Sequence, residues 1–218
     1  MTRNNQIAVV HGGAPFDEVT QITFRNHAEY ALKHGYLLQE LRFNPKQPQN
    51  KLSMLYQMLQ NLEIHRAFWI DSNAIFTNPK LRLTEYLPAG KVVMSYDIFG
   101  PSTDCLWLEN TPEVRRLLWA ASCVSVLLFR EESTEIYPID RRGLRYVSLH
   151  PPYHQLFTYV EQTVMRSQLN EYYSDGRPDD GFGQWQPGDF ILHVGGLHST
   201  MKVSILQDML NLSSKISE

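Results

Sequence analysis

Between residues 7 and 70, short apolar runs alternate with stretches of helical periodicity, and this alternation limits the fold more than any other feature of the chain. Ile7-Ala8-Val9-Val10 reads as a buried first strand stopped by Gly12-Gly13. Asp17 or a neighbour is placed to cap a helix running to about His34 and ending on Gly35. A short acceptor side chain satisfies the first free N–H groups of such a helix, and glycine takes the left-handed terminal conformation. Phe24, Ala28, Ala31 and Leu32 would form its apolar face. Tyr36 to Phe43 suits a second strand, Asn44-Pro45-Lys46-Gln47-Pro48 a loop, and Leu52, Leu55, Met58, Leu59 and Leu62 recur at helical spacing. Ala67-Phe68-Trp69-Ile70 is wholly apolar, as a central strand must be. The order strand-helix-strand-helix-strand predicts an α/β fold with a Rossmann-like, mostly parallel central sheet flanked by helices. Ligands of such sheets bind beyond the carboxyl ends of the strands, so Asp71-Ser72-Asn73 falls where chemistry is expected.

The second half is less regular. Lys91 to Tyr96 and Cys105 to Leu108 read as strands, and Thr111-Pro112-Glu113 opens a helix that continues to about Ala121. Cys123 to Phe129 is apolar throughout and fits either a strand or a helix. Tyr146 to Leu149 is expected as a strand, His154 to Tyr172 as a helix, and Asp175 to Gly188 as a loop. Phe190 to Val194 forms a late strand ended by Gly195-Gly196, after which Ser199 or Thr200 caps an amphipathic last helix. The 218 residues are enough for one sizeable core, and no linker divides them, so residues 1–218 are expected as a single domain. A net charge of −3, with no basic tract longer than Arg141-Arg142 and Arg145, argues against nucleic acid as a partner. Two cysteines, Cys105 and Cys123, make no disulfide framework. No apolar run is long enough for a membrane span or a signal-peptide core, and the expected location is cytoplasmic.

Three segments can carry chemistry. Trp69-Ile70-Asp71-Ser72-Asn73 delivers a carboxylate and a second oxygen donor, two residues apart, to the end of a strand, and oxygen ligands of this kind suit Mg²⁺ or Mn²⁺. Read alone, the same residues also make an ordinary polar turn. His193 ends a buried strand beside Gly195-Gly196, where an imidazole can meet a metal and bare backbone can approach a phosphate. Read alone it is equally a hydrogen-bonded core histidine, with His198 as a rival. Glu161-Gln162 offers a carboxylate and an amide to a sugar, or else a solvated helix face.

Together the segments resemble the galactosyl-, mannosyl- and xylosyltransferase family that includes fungal mannan-building enzymes and plant xyloglucan xylosyltransferases. The resemblance rests on Asn26-His27-Ala28-Glu29-Tyr30-Ala31 through His34-Gly35-Tyr36, on Trp69 through Asn78, and on Gln186 through Gly196. It implies a GT-A fold, a nucleotide-sugar donor such as a UDP-sugar, a glycan or glycoprotein acceptor, Mn²⁺ (or Mg²⁺), and transfer with retention of configuration. It implies Asp71, Asn73 and His193 as metal ligands, Ser72 near the ribose, Gln162 near the sugar with Glu161 beside it, and Val9, Val10 and His11 lining the nucleotide pocket. Lys51 matches a lysine that opens the helix before the metal motif, and either it or Lys202 can add positive charge at the diphosphate. Two departures stand out. Asn73 replaces an acidic residue, and Ser102-Thr103-Asp104-Cys105-Leu106-Trp107-Leu108 lacks the family's Asn-Thr/Ser-Gly segment. They keep open a sugar-nucleotide-binding protein without turnover. A metal-dependent nucleotidyltransferase would want more carboxylates than Asp71 supplies.

Overall fold

A computed structural model describes residues 6–13, 17–42, 51–97, 100–131, 139–169, 183–195 and 197–217. Strand β1 (Gln6–Gly13) pairs in parallel with β2 (Leu37–Arg42) on one side and β3 (Ile64–Asp71) on the other. Helices α1 (Glu18–His34) and α2 (Lys51–Met58) make the two crossovers. The expected caps are present: the Asp17 carboxylate accepts from the Thr20 N–H at 2.8 Å, and Gly35 takes φ 68°. β4 (Ala74–Phe76) and the one-turn helix α3 (Leu83–Tyr86) follow, then β5 (Val92–Asp97) and β6 (Gly100–Glu109).

The central sheet has the order β2-β1-β3-β6-β5-β7, where β7 is Phe157–Val160. Every neighbouring pair in it is parallel except the two that involve β6, which alone runs in the opposite sense. A smaller sheet, β4-β9-β8, is built from β8 (Ser167–Gln168) and β9 (Ile191–His193). Apolar cores lie on both faces of the central sheet. Val10, Trp69, Leu106 and Leu108 pack with α2 and α4 (Pro112–Glu131) on one face. Val9, Phe68, Ile70 and Trp107 pack with α1 on the other. Burial on both faces is why β3 is a continuous apolar run rather than an alternating one.

Several expectations are corrected. Residues 146–149 are not a strand: α5 (Ile139–Ser148) contains most of them and packs on α4, with Gly143 lying against the Ala121 carbonyl and Ser125. A Cβ at Gly143 would stand 1.9 Å from the Ser125 hydroxyl, so the two helices meet that closely only over glycine. The run from Cys123 continues α4 as helix. The helix expected over His154 to Tyr172 is instead a 3₁₀ turn (His154–Leu156), β7, the single turn α6 (Gln162–Met165) and β8. Phe157-Thr158-Tyr159-Val160 is aromatic and β-branched, and strand pairing with β5 prevails over helix there. Leu32 is 83% exposed, and the buried face of α1 is Val19, Thr20, Thr23, Asn26, His27, Tyr30 and Ala31. α7 (Ser199–Ser217) closes the chain as a helix. The loop Asn44 to Pro48, the end of the expected helix at residues 170–172, most of the loop from Asp175, and Gly196 lie outside the described residues. No helix among the described residues is long and apolar enough to cross a membrane.

Candidate metal and donor site

The site grows out of strand register. β3 and β6 pair antiparallel with Ile70 opposite Cys105, so the next residues along the ladder are Asp71 and Asp104. Because β6 runs backwards, its beginning lies at the same end of the sheet as the end of β3. β4 then leaves the Asp71-Ser72-Asn73 turn and pairs with β9, Ala74 opposite His193. One ligand atom from each of Asp71, Asp104 and His193 lies within 4.8 Å of the others. Sequence reasoning had found two of these three. Asp104 was in view only as part of a stretch that lacked a family motif.

Each group is held from behind. The Trp69 indole N–H donates to Asp71 Oδ1 at 2.7 Å, and Lys51 Nζ stands 3.2 Å from the same oxygen, so Oδ2 is the atom that a cation could meet. Gly12 is what lets the indole lie there, since a Cβ would fall inside the Trp69 ring at 1.6 Å. Arg166 Nε lies 2.6 Å from Asp104 Oδ2, at an angle too bent for a hydrogen bond, and Arg166 Nη1 donates to Asp97 at 2.7 Å. Arg141 pairs with Asp97, and Asp140 lies 3.3 Å from Lys51. Among the described residues, the carboxylates of Asp71, Asp97, Asp104 and Asp140 thus face Lys51, Arg141 and Arg166 in one ion-paired network. Two carboxylates and an imidazole are a fitting donor set for Mn²⁺ or Mg²⁺.

The electrostatics follow from this layout. Burial pushes Asp71 up to about 7 against the pull of Lys51, although 21% of its side chain still reaches solvent, which tempers the rise. Burial would raise Asp104 too, but the Arg166 guanidinium, helped by His193, Lys51 and Arg141, holds it well below the usual carboxylate range. Burial pushes His193 down to about 3, so the ring is neutral. Its Nδ1 accepts the Gly195 N–H at 3.1 Å, so the ring hydrogen sits on Nε2, 3.6 Å from Asp104. A cation held through Nε2 would require that hydrogen to move to Nδ1, which would give up the bond from the Gly195 N–H.

The other expected residues fall as follows. Gly195 leaves room for the His193 ring, which a Cβ would meet at 2.1 Å. Ser72 sits under Gly13 at the ends of β1 and β3, its N–H donating to the Gly12 carbonyl at 2.8 Å. Val9 and Val10 are fully buried, one in each core, so only the strand end beyond them opens toward the site. His11 is buried against His27, Nδ1 to Nδ1 at 2.8 Å. Asn73 Oδ1 accepts from Lys202 Nζ at 2.8 Å, and its carbonyl accepts from the Val194 N–H. Gln162 is buried below Gly183, while Glu161 is exposed at the start of α6. His198 is exposed just before α7. A cleft of about 610 Å³ lined by Glu63, His65, Asn110 and Arg115 lies at the opposite, amino-terminal ends of β1 and β3.

Two predictions arise here. His193→Ala should leave the fold in place, since among the described residues the imidazole's polar contacts are those with Gly195 and Asp104, but should lower Mn²⁺ affinity by about tenfold or more, the scale on which even outer partners of metal ligands act. Manganese paramagnetic resonance on the folded variant measures it, and unchanged affinity would take His193 out of the site. The second concerns His11 and His27. Burial holds His11 down to about 4 and His27 well below the usual histidine range. Unfolded, both titrate near 6.5, so below that pH the unfolded chain binds protons that the folded chain refuses, and stability is lost as pH falls. The pair should remove roughly 2 kcal/mol per pH unit between about pH 6 and pH 5. Urea unfolding at those two pH values should show a shallower dependence for His27→Gln, and an unchanged slope would contradict it.

No family model matches the sequence, and no curated protein matches it. Solved structures do. The chain is similar to a glycosyltransferase involved in the glycosylation of the major capsid of PBCV-1, with a TM-score of 0.67 and 11% identity over 93% of this chain and 99% of that one. It is also similar to the glycosyltransferase GlyE of Streptococcus pneumoniae TIGR4, with a TM-score of 0.54 and 13% identity over 96% of this chain and 60% of that one. The mostly parallel six-stranded sheet flanked by helices is thus the fold of GT-A-like glycosyltransferases.

Proposed function

We propose that this chain is one glycosyltransferase domain that moves a hexose or pentose from a nucleoside-diphosphate sugar, a UDP-sugar first of all, to a hydroxyl of a glycan or glycoprotein acceptor, with retention of configuration. The observation that carries the proposal is the convergence of Asp71, Asp104 and His193 at the ligand-binding end of a glycosyltransferase fold. These three would hold Mn²⁺ or Mg²⁺. A divalent ion bound there supplies Lewis-acid neutralisation of the diphosphate leaving group. Asp104 thus joins the ligands expected from sequence, and Asn73 offers a further oxygen when Lys202 turns away from it.

The chain's own residues divide the remaining work. Lys51 is buried and donates to the Thr103 carbonyl at 2.8 Å while facing Asp71 and Asp140, so its hydrogens are spoken for and it serves as a counter-ion. Lys202 has a neutral partner in Asn73 and a more open position on α7, which favours it as the cation that meets the diphosphate. Ser72 and His11, with the end of β1 beyond Val9 and Val10, are the proposed nucleoside side of the site, and Gly195-Gly196 the phosphate side. Gln162 stands one turn before Arg166, whose N–H donates to its carbonyl at 2.7 Å, and is the residue proposed to face the transferred sugar, with Glu161 beside it.

The test is a panel of nucleotide sugars and a nucleoside triphosphate, read by thermal shift with Mn²⁺ or chelator and by release of nucleoside diphosphate. Stabilisation that needs metal, followed by slow release, supports the enzyme. Tight binding with no release selects the binding protein, a reading that Asn73 favours. Stabilisation by the triphosphate alone would overturn both.

A further inference from the structure

The buried face of α1 carries a row of polar side chains, and most of their hydrogen bonds go to one segment of chain. Thr23 Oγ1 donates to the Ser72 carbonyl at 3.0 Å, His27 Nε2 to the Ala74 carbonyl at 2.8 Å, and Tyr30 Oη to the Leu81 carbonyl at 2.7 Å. Asn26 makes two bonds to one residue: its Nδ2 donates to the Phe76 carbonyl at 3.0 Å, and its Oδ1 accepts the Phe76 N–H at 2.8 Å. These positions recur at helical spacing, so they form a single row.

β4 is an edge strand of the small sheet. The Thr77 N–H donates to the Phe190 carbonyl and the Val194 N–H to the Asn73 carbonyl, so residues 73 and 77 turn their backbone groups toward β9. Ala74 and Phe76 therefore point theirs the other way, toward an edge that no strand among the described residues covers. α1 covers it. The carboxamide of Asn26 presents Phe76 with one donor and one acceptor, as a residue of a neighbouring strand would. His27 is fully buried, and because its Nε2 donates, its Nδ1 is left to accept from His11 at the end of β1. Asp71 lies immediately before this clamped segment, and His193 lies directly opposite Ala74 on β9.

We propose that Asn26 and His27 are positioning residues: they act as a substitute strand that fixes β4 on β9 and so sets His193 against Asp71. The proposal rests on the reading of Asp71, Asp104 and His193 as a cation site. A helix that merely packed on the sheet would bury apolar side chains there. Bracketing both backbone groups of Phe76 fixes register as well as position.

The test compares Asn26→Ala with Leu55→Ala, a core truncation in α2 on the other face of the sheet, each scored against its own loss of melting temperature. The first readout is amide exchange at Thr77 and Val194, whose partners are on the β4–β9 ladder and not on Asn26. The second is Mn²⁺ affinity by paramagnetic resonance. Asn26→Ala is expected to speed exchange at both amides by about tenfold beyond the control and to weaken Mn²⁺ by about tenfold, the range for residues that orient ligands. Leu55→Ala should do neither, and Asn26→Ser, which keeps one hydrogen-bonding group, should fall between. Should Asn26→Ala not fold, Asn26→Ser carries the same comparison. His27→Gln, which can still donate to the Ala74 carbonyl, should retain Mn²⁺ affinity where His27→Ala loses it. Exchange and affinity in Asn26→Ala that track the control overturn the proposal. Wild-type protein that binds no Mn²⁺ overturns the cation reading instead, and the exchange readout then decides the clamp alone.

Discussion

Replacing Asp104 with asparagine should abolish metal-dependent donor binding while leaving the fold in place. The substitution keeps the shape of the side chain and removes one of the two carboxylates of the proposed cation site. A hard divalent ion depends on anionic oxygen, and an amide oxygen offers only a dipole. Arg166 would then stand beside the site with one carboxylate fewer to balance it, which repels a cation further. The fold has reason to persist, because Arg166 stays paired with Asp97 at 2.7 Å. Turnover is expected to fall by about two to three orders of magnitude, the cost of removing one preorganised charge-stabilising group. Circular dichroism would show the native spectrum, and nucleoside diphosphate release with saturating Mn²⁺ would show the loss. Activity within about threefold of wild type would remove Asp104 from the site, since each tenfold in rate is only about 1.4 kcal/mol.

Lys51→Met should have the largest effect on stability. The lysine is buried, stacks over the Trp69 ring at 5.0 Å, and lies within 3.3 Å of both Asp71 and Asp140. Burial works against its charge, but Asp140, Asp71 and Asp104 together hold its pKa above the ordinary lysine range. Methionine keeps most of the stem and removes the charge, leaving two mostly buried carboxylates without their cation. Breaking such a pair from one side costs about 3–5 kcal/mol when fully buried, and the partial solvent contact of both aspartates places the expected loss at about 3 kcal/mol. Urea unfolding measures it. The outcome also separates two roles for this residue. A lysine whose main partner is the donor phosphate would leave stability near wild type when replaced and would mainly raise KM for the donor.

How much of this was legible depended on whether the signal was local. The opening β1-α1-β2-α2-β3 arrangement follows from periodicity and caps, and Asp17 and Gly35 do what such residues do at helix ends. Asp71 and His193 were legible because each ends an apolar strand. Asp104 was not. It stands just before the stretch Cys105 to Glu109 that pairs with β3, and in an all-parallel sheet the leading end of a paired stretch is the wrong end for ligands. Only the reversal of β6 brings it beside Asp71, and strand direction is set by pairing across the sheet rather than by residues near position 104. The face of α1 was misread for a related reason. The apolar pattern points to Phe24, Ala28, Ala31 and Leu32, whereas Thr23, Asn26 and His27 are buried because β4, some fifty residues later, presents backbone groups for them to bind. β7 was read as helix because its four residues gain their stability from β5, a partner invisible to a local pattern.

The departure at Asn73 ends in the same place. With an amide there in contact with Lys202, the protein's own negative charge at the site comes from Asp71 and Asp104 and is largely offset by Lys51 and Arg166. A divalent ion alone should therefore bind weakly, and the diphosphate of a donor should supply the charge that strengthens it. Such coupling is reciprocal: UDP should tighten Mn²⁺ by the same factor by which Mn²⁺ tightens UDP. Calorimetric titration of Mn²⁺ into the protein, with and without saturating UDP, tests the central claim that metal and donor meet at Asp71, Asp104 and His193. The account predicts Mn²⁺ binding at least about tenfold tighter with UDP, a coupling of about 1.4 kcal/mol, and loss of that coupling in Asp104→Asn. UDP that binds equally well in chelator, or Mn²⁺ affinity that UDP leaves unchanged, would contradict it.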